Sequence, residues 1–136
     1  MSTKEVPQII SNPHYNRIGG EQKIRELVER FYQLLDSLPE AATVRAMHAR
    51  DLRGSREKLF MFLSGWLGGP QLYTEKYGHP RLRQRHMPFA INTEARDLWM
   101  HCMQQAMVDV GIEESLREEL KAAFYKTADF MRNQPE

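Results

Sequence analysis

The run Arg85-His86-Met87-Pro88-Phe89 sets an imidazole between basic residues and an apolar stretch. Proline cannot continue a regular helix and restricts the residue before it, so His86 sits at or near the end of a short helix and the backbone turns after it. A ring fixed at such a turn can offer one nitrogen to a metal, and the same position also suits an ordinary surface histidine. Three hydrogen-bonding side chains bear on which reading holds. Tyr32 lies one turn beyond Val28 and flanks an apolar stripe, Trp99 lies within a second stripe, and Ser55 stands a turn before Leu59. A buried donor without an acceptor costs about 1–3 kcal/mol. Each can be satisfied by a nearby helix carbonyl or at the surface. Jointly, facing one core, they suggest an acceptor that the chain does not itself provide.

The elements that would position these residues are helical. From Glu21 the apolar residues Ile24, Leu27, Val28, Phe31, Leu34, Leu35 and Leu38 recur at intervals of three and four, until Pro39 closes the stripe. A short helix within 40–50 leads to a corner at His48. Asp51 or Ser55 could cap the next helix, whose stripe is Leu59, Phe62, Leu63, Trp66 and Leu67, and Gly68-Gly69-Pro70 ends it. Residues 70–79 read as a loop, and a short helix follows from Pro80 to His86. Thr93 is a natural N-cap for a helix carrying Leu98, Trp99, Cys102, Met103, Ala106, Met107 and Val110, stopped by Gly111. The last helix carries Leu116, Leu120, Phe124 and Met131 up to Asn133. No segment alternates as a half-buried strand does, so the expected fold class is all-α, with four long amphipathic helices.

With 136 residues and 41% hydrophobic content, the chain suits one domain. Residues 1–11, with Pro7, read as an extended lead-in, 12–133 as the domain and 134–136 as a tail. Lys+Arg 19 against Asp+Glu 18 leave a net charge of +1, which gives no global field for nucleic acid or an anionic membrane. Arg81, Arg83 and Arg85, with His79 and His86, are the only basic concentration. They match no nucleic-acid reading motif. A seven-residue spacing would bring His79 and His86 onto one helix face, but Pro80 starts the helix after His79 and no acidic residue in the run offers a third metal ligand. The lone Cys102 fits a reducing compartment, and no run approaches a secretory signal or membrane span, so a soluble cytoplasmic protein is expected.

Taken together, Tyr15-x-x-Ile18-Gly19-Gly20, Phe31-Tyr32, Asp51-Leu52, Met61-Phe62-Leu63, Gly68-Gly69-Pro70, Tyr73, Gly78-His79-Pro80-Arg81-Leu82-Arg83, Arg85-His86, Pro88-Phe89 and Asp97-x-Trp99 resemble the group II truncated haemoglobins. The resemblance runs from about Asn12 to about Phe130. It implies a two-over-two helical sandwich, a shortened globin around one haem b (iron protoporphyrin IX). His86 falls on the family's proximal iron ligand, Tyr32 on its distal tyrosine and Trp99 on the group II tryptophan. His48 or Met47 falls at the distal corner, where segment length varies, and Ser55 at the position where full-length globins usually carry histidine.

The resemblance also implies the chemistry. One imidazole leaves the opposite face of haem open to dioxygen, carbon monoxide, nitric oxide or a peroxide. Dioxygen acquires partial negative charge on binding, so donors in a dry pocket hold it, and two donors at about 1.5 kcal/mol each slow its release by roughly two orders of magnitude. The donors expected are Tyr32 and Trp99, with His48 and Ser55. A redox enzyme, a nitric oxide dioxygenase or peroxidase-like activity fed by a reductase, would use the same residues. Lys58, Tyr73 and Arg85 are candidate partners for the haem carboxylates, with surface solvation as the competing account. Leu59, Phe62, Leu63, Phe89, Ile91 and Met103 are assigned to the cofactor site as apolar walls. A monomer or homodimer is expected.

Overall fold

The computed structural model describes residues 13–134, so the expected lead-in and the last two residues of the expected tail lie outside the described residues. Helix α1 (Pro13–Ile18) stops at Gly19 and Gly20, whose φ values of 111° and 74° are open to glycine at little cost. Helix α2 (Gly20–Ser37) buries Ile24, Leu27, Val28, Phe31, Leu34 and Leu35, the stripe read from the sequence, and buries Tyr32 with them. A 3-10 turn (Pro39–Ala41) and the single-turn α3 (Ala42–Arg45) make the corner that precedes His48. Helix α4 (Arg53–Trp66) begins after Leu52; just ahead of it the Asp51 carboxylate accepts the Arg53 backbone N–H at 2.9 Å, while Ser55 lies inside the first turn.

The remaining elements depart from expectation in detail. Residues 72–77 are not loop: α5 (Leu72–Tyr77) is a helix too short to show a period, anchored by the buried Tyr73. Helix α6 (Leu82–His86) starts two residues later than Pro80, because Arg81 takes a left-handed conformation at φ 49°. Asn92 rather than Thr93 caps α7 (Thr93–Asp109); its side-chain oxygen accepts the Ala95 N–H at 2.8 Å. Helix α8 (Glu114–Phe130) ends short of Asn133, which is drawn away to bond residues 86–91.

No strand occurs among the described residues, and the fold is all-α. Helix α2 packs on α4 and α7, and α7 packs on α8, which gives the two-over-two arrangement of long helices. Phe31, Leu27, Leu35, Met103, Met107, Leu116 and Leu120 are fully buried where these layers meet. Each such side chain contributes about 1.5–3 kcal/mol of transfer free energy. Helix α4 presents two apolar faces. Phe60, Met61, Leu63 and Ser64 are buried, Leu63 at the boundary with a cavity, whereas Leu59, Phe62 and Trp66, three members of the expected stripe, are only partly buried. They line a cavity instead.

Close packing at the end of α4 fixes where α1 lies. The Tyr15 N–H donates to the Leu67 carbonyl at 2.9 Å, and a Cβ on Gly69 would meet the Tyr15 ring at 2.2 Å. Gly69→Ala must therefore displace the ring and is expected to cost about 1–2 kcal/mol in urea unfolding, whereas Gly54→Ala, whose Cβ meets nothing within 4 Å, is expected to be neutral or stabilising.

Candidate functional site

One cavity, of about 500 Å³, falls within the range of small-molecule and cofactor sites. Its wall brings together Tyr32, His48, Ser55, Lys58, Leu59, Phe62, Leu63, Tyr73, Arg85, His86, Phe89, Ile91 and Trp99. Met103 is the exception among the residues assigned to the site. It is fully buried and outside the lining, because that face of α7 meets α2 in the core. Cys102 is likewise buried behind the wall, and burial raises its thiol pKa, which leaves it a small inert hydrophobe.

His86 is the last residue of α6, and its Nδ1 lies 2.6 Å from the carbonyl of Leu82 one turn earlier. Nδ1–H donates to that carbonyl. In the neutral ring this leaves Nε2 with a free lone pair, and the Nδ1 bond orients the ring as partners of metal-bound histidines do. Among the described residues no group of three or more His, Cys, Asp or Glu could cage a metal ion. His79, the other histidine of the run, is exposed and spends its Nδ1 accepting the Arg81 N–H at 3.0 Å. A metal held by His86 would have to bring its remaining ligands with it, as a macrocycle does.

The polar groups line the same cavity. The Tyr32 hydroxyl reaches only the Ser55 carbonyl, at 3.5 Å, the limit of a hydrogen bond. Burial pushes its pKa up to about 12, so it remains a neutral donor at physiological pH. No described residue accepts the indole N–H of Trp99, which packs against Phe31 and Phe124 with ring centroids 5.3 Å and 5.7 Å away. Met47 and His48 both line the cavity, and His48 is the one that meets Tyr32, edge to face at 5.8 Å.

His48 corrects one expectation. Its Nδ1 lies 3.0 Å from the Val44 carbonyl and donates to it, so the neutral ring offers an acceptor, not a donor, at Nε2. Burial first, then the nearby Arg45 and His86, lower its pKa below the ordinary 6.5 despite the Val44 bond. The folded protein thus binds this proton more weakly than the unfolded chain. The stability contributed is complete above about pH 6.5 and is lost as pH falls through the lowered folded value, with a slope below about 1.4 kcal/mol per pH unit. Chemical denaturation between pH 7 and 5 is expected to show that slope, and His48→Gln to remove it.

Lys58 and Arg85, both exposed, and the buried Tyr73 also line the cavity. Arg85 Nε donates to the Pro80 carbonyl at 2.8 Å and its guanidinium stands 6.0 Å from the Tyr73 ring, so its remaining N–H groups can meet a carboxylate. The sequence reading missed Trp66, Leu82, Phe124, Thr127, Ala128 and Met131 in the wall. Phe124 and Met131, which the sequence places on the stripe of the last helix, line the cavity with Ala128, and Trp66 stacks on Phe124 at 4.7 Å. One available imidazole nitrogen, apolar walls, two cations and donors without a strong protein acceptor, all in one cavity, form a donor set that fits a haem.

Residues 13–133 match the family described as bacterial-like globin. The chain is 42% identical over 125 residues to the group 2 truncated hemoglobin of Bacillus subtilis strain 168, covering 92% of each protein. Among solved structures it is similar to the group II 2-on-2 hemoglobin of Agrobacterium tumefaciens, with a TM-score of 0.87 and 43% identity over 95% of this chain and 98% of that one. It is also similar to a truncated haemoglobin from Bacillus subtilis described as oxygen-avid, with a TM-score of 0.81 and 42% identity over 88% of this chain and 98% of that one.

Proposed function

The chain belongs to the bacterial-like globins, as a group II truncated haemoglobin, and from that premise we propose that it binds dioxygen at a haem b held by His86 and releases it slowly. Haem, when bound, supplies an iron that accepts a diatomic ligand and passes between ferrous and ferric states. The chain supplies the rest. His86 Nε2 would hold the iron, Arg85, Lys58 and Tyr73 would meet the carboxylates, and the apolar walls would exclude water. The observation that carries slow release is the pair of donors without a strong protein acceptor, the Trp99 indole and the Tyr32 hydroxyl, in one cavity wall. Each can give a hydrogen bond to a ligand that gains negative charge, and a low-dielectric surround strengthens such a bond. The oxygen-avid description of the Bacillus subtilis relative supports the same reading.

Oxygen dissociation from the haem-loaded chain tests it by stopped flow. Trp99→Phe removes a donor whose only role is to donate and is expected to speed release about tenfold, the equivalent of about 1.4 kcal/mol. Ser55→Ala is expected to act less, because a serine hydroxyl competes for its own helix carbonyls. Equal or reversed effects would remove Trp99 from the role assigned to it. The buried lone cysteine supports a reducing, cytoplasmic setting.

A further inference from the structure

Residues 76–93 hold four of the 19 basic side chains and none of the 18 acidic ones, so a chain of net charge +1 carries net −3 outside this segment. The same segment and the helix end beside it expose apolar surface. Tyr77, Met87, Phe89 and Phe130 are 40%, 54%, 39% and 63% exposed, four of the six exposed large hydrophobics among the described residues. The cations sit among them. Lys58 and Lys76 stand 5.6 Å and 5.4 Å from the Tyr77 ring centre. Arg83 reaches the Met87 sulfur at 3.2 Å and lies 5.7 Å from the Phe130 ring centre. Exposed Arg81 extends the cationic face. Arg85, His86 and Phe89, from the same stretch, line the cavity, so an occupant of this face would be separated from the cavity by one short helix.

We propose that this face docks an acidic one-electron carrier protein, which would reduce the ferric, haem-loaded chain to the ferrous form that dioxygen requires. The proposal rests on the haem reading above. Charge complementarity selects the partner: a surface rimmed with carboxylates meets Lys76, Arg81 and Arg83 while an apolar centre covers Met87 and Phe130. A second copy is disfavoured by the same charges, since a two-fold interface would set this patch against its own image. An anionic bilayer is disfavoured because the face is built from a five-residue helix and its flanking turns rather than from an amphipathic helix. The step balances simply. The reduced carrier would give up one electron, and a ferric haem held in the cavity would take it up to become ferrous.

The test uses the haem-loaded chain, its loading verified first by the optical spectrum, and a purified acidic [2Fe–2S] ferredoxin as probe. Titration calorimetry reads binding directly, and anaerobic stopped flow reads reduction by the reduced probe and, as a control, by dithionite. Lys76→Glu with Arg81→Glu is expected to weaken binding about tenfold or more, as is raising salt from about 0.02 to 0.3 M. Reduction by the probe falls in parallel, while the spectrum stays unchanged and dithionite reduction stays within about twofold. Met87→Gln lowers affinity without changing the salt dependence. A loaded chain whose binding ignores the charge reversal overturns the proposal. So does charge reversal that abolishes a homodimer or vesicle binding while leaving carrier binding intact. A chain that takes up no haem fails earlier, in the spectrum, and overturns the haem reading instead.

Discussion

His86→Ala is expected to lower haem affinity by more than about a hundredfold, beyond the 10–100-fold typical of residues that only support a metal ligand. Titrating haem into the wild-type chain should give a saturable one-to-one Soret shift and a ferrous-CO spectrum characteristic of histidine ligation. The variant should lose both. It should still fold: His86 is partly exposed at a helix end, and truncation removes one bond, Nδ1–H to the Leu82 carbonyl, at a cost of about 1 kcal/mol. Imidazole added in trans should restore the ferrous-CO spectrum in part, because the cavity walls and the two cations remain. His79→Ala, from the same basic run, is exposed and turned to the Arg81 N–H, and should change neither. A His86→Ala chain with the wild-type spectrum would move the ligand role elsewhere, with His48 the first place to look.

Much of this site was legible before the fold was known, for physical reasons that differ by residue. The apolar stripe of α2 and the proline that stops the run after His86 are local signals, set by helix period and by the missing N–H of proline. Helix α4 shows where periodicity stops being sufficient. Its stripe of Leu59, Phe62, Leu63, Trp66 and Leu67 is genuine, yet a helix between a core and a cavity has two apolar faces, and spacing alone does not tell which is dry protein and which lines a void. Met103 fails in the opposite sense: one of several apolar residues on α7, it turns to the core while Trp99, one turn earlier, turns to the cavity.

Polar direction was less legible still. His48 could be read as a pocket residue, but whether it gives or takes a hydrogen bond depends on which nitrogen is occupied, and the Val44 carbonyl decides that. The Tyr32 hydroxyl shows the same dependence, since its availability follows from the poor 3.5 Å bond to Ser55, a relation between two helices. The six-residue α5 was read as loop because six residues give no measurable period; the burial of Tyr73 against α4 supplies what its sequence lacks.

Asn133 is the clearest case of a residue whose role only tertiary structure reveals, and its replacement is expected to have the second-largest effect. Its side-chain N–H groups donate to the His86 carbonyl at 3.1 Å and the Phe89 carbonyl at 2.9 Å, and its side-chain oxygen accepts the Ile91 N–H at 2.9 Å. Its own backbone N–H donates to the Ile91 carbonyl at 2.9 Å. The chain beyond α8 thus clasps the turn that Pro88 forces after His86, a turn whose backbone groups have left the helix and need partners. Asn133→Ala keeps the backbone bond but strips the partner from the Phe89 carbonyl and the Ile91 N–H, and leaves the His86 carbonyl with only the Phe89 N–H at 3.0 Å. At the lower end of the cost of such groups, since part of the clasp is exposed, the loss should be about 2–3 kcal/mol, or about 8–12 °C in Tm. Asn133→Asp separates geometry from donor chemistry, since it keeps the acceptor for Ile91 and replaces both donors with a carboxylate facing two carbonyls. It should be at least as damaging as alanine. Haem loss should quicken in both variants, because His86 would stand on a looser turn, and adding haem in excess should recover part of the Tm by mass action. A Tm within a degree or two of wild type in both variants would mean that α6 holds His86 unaided.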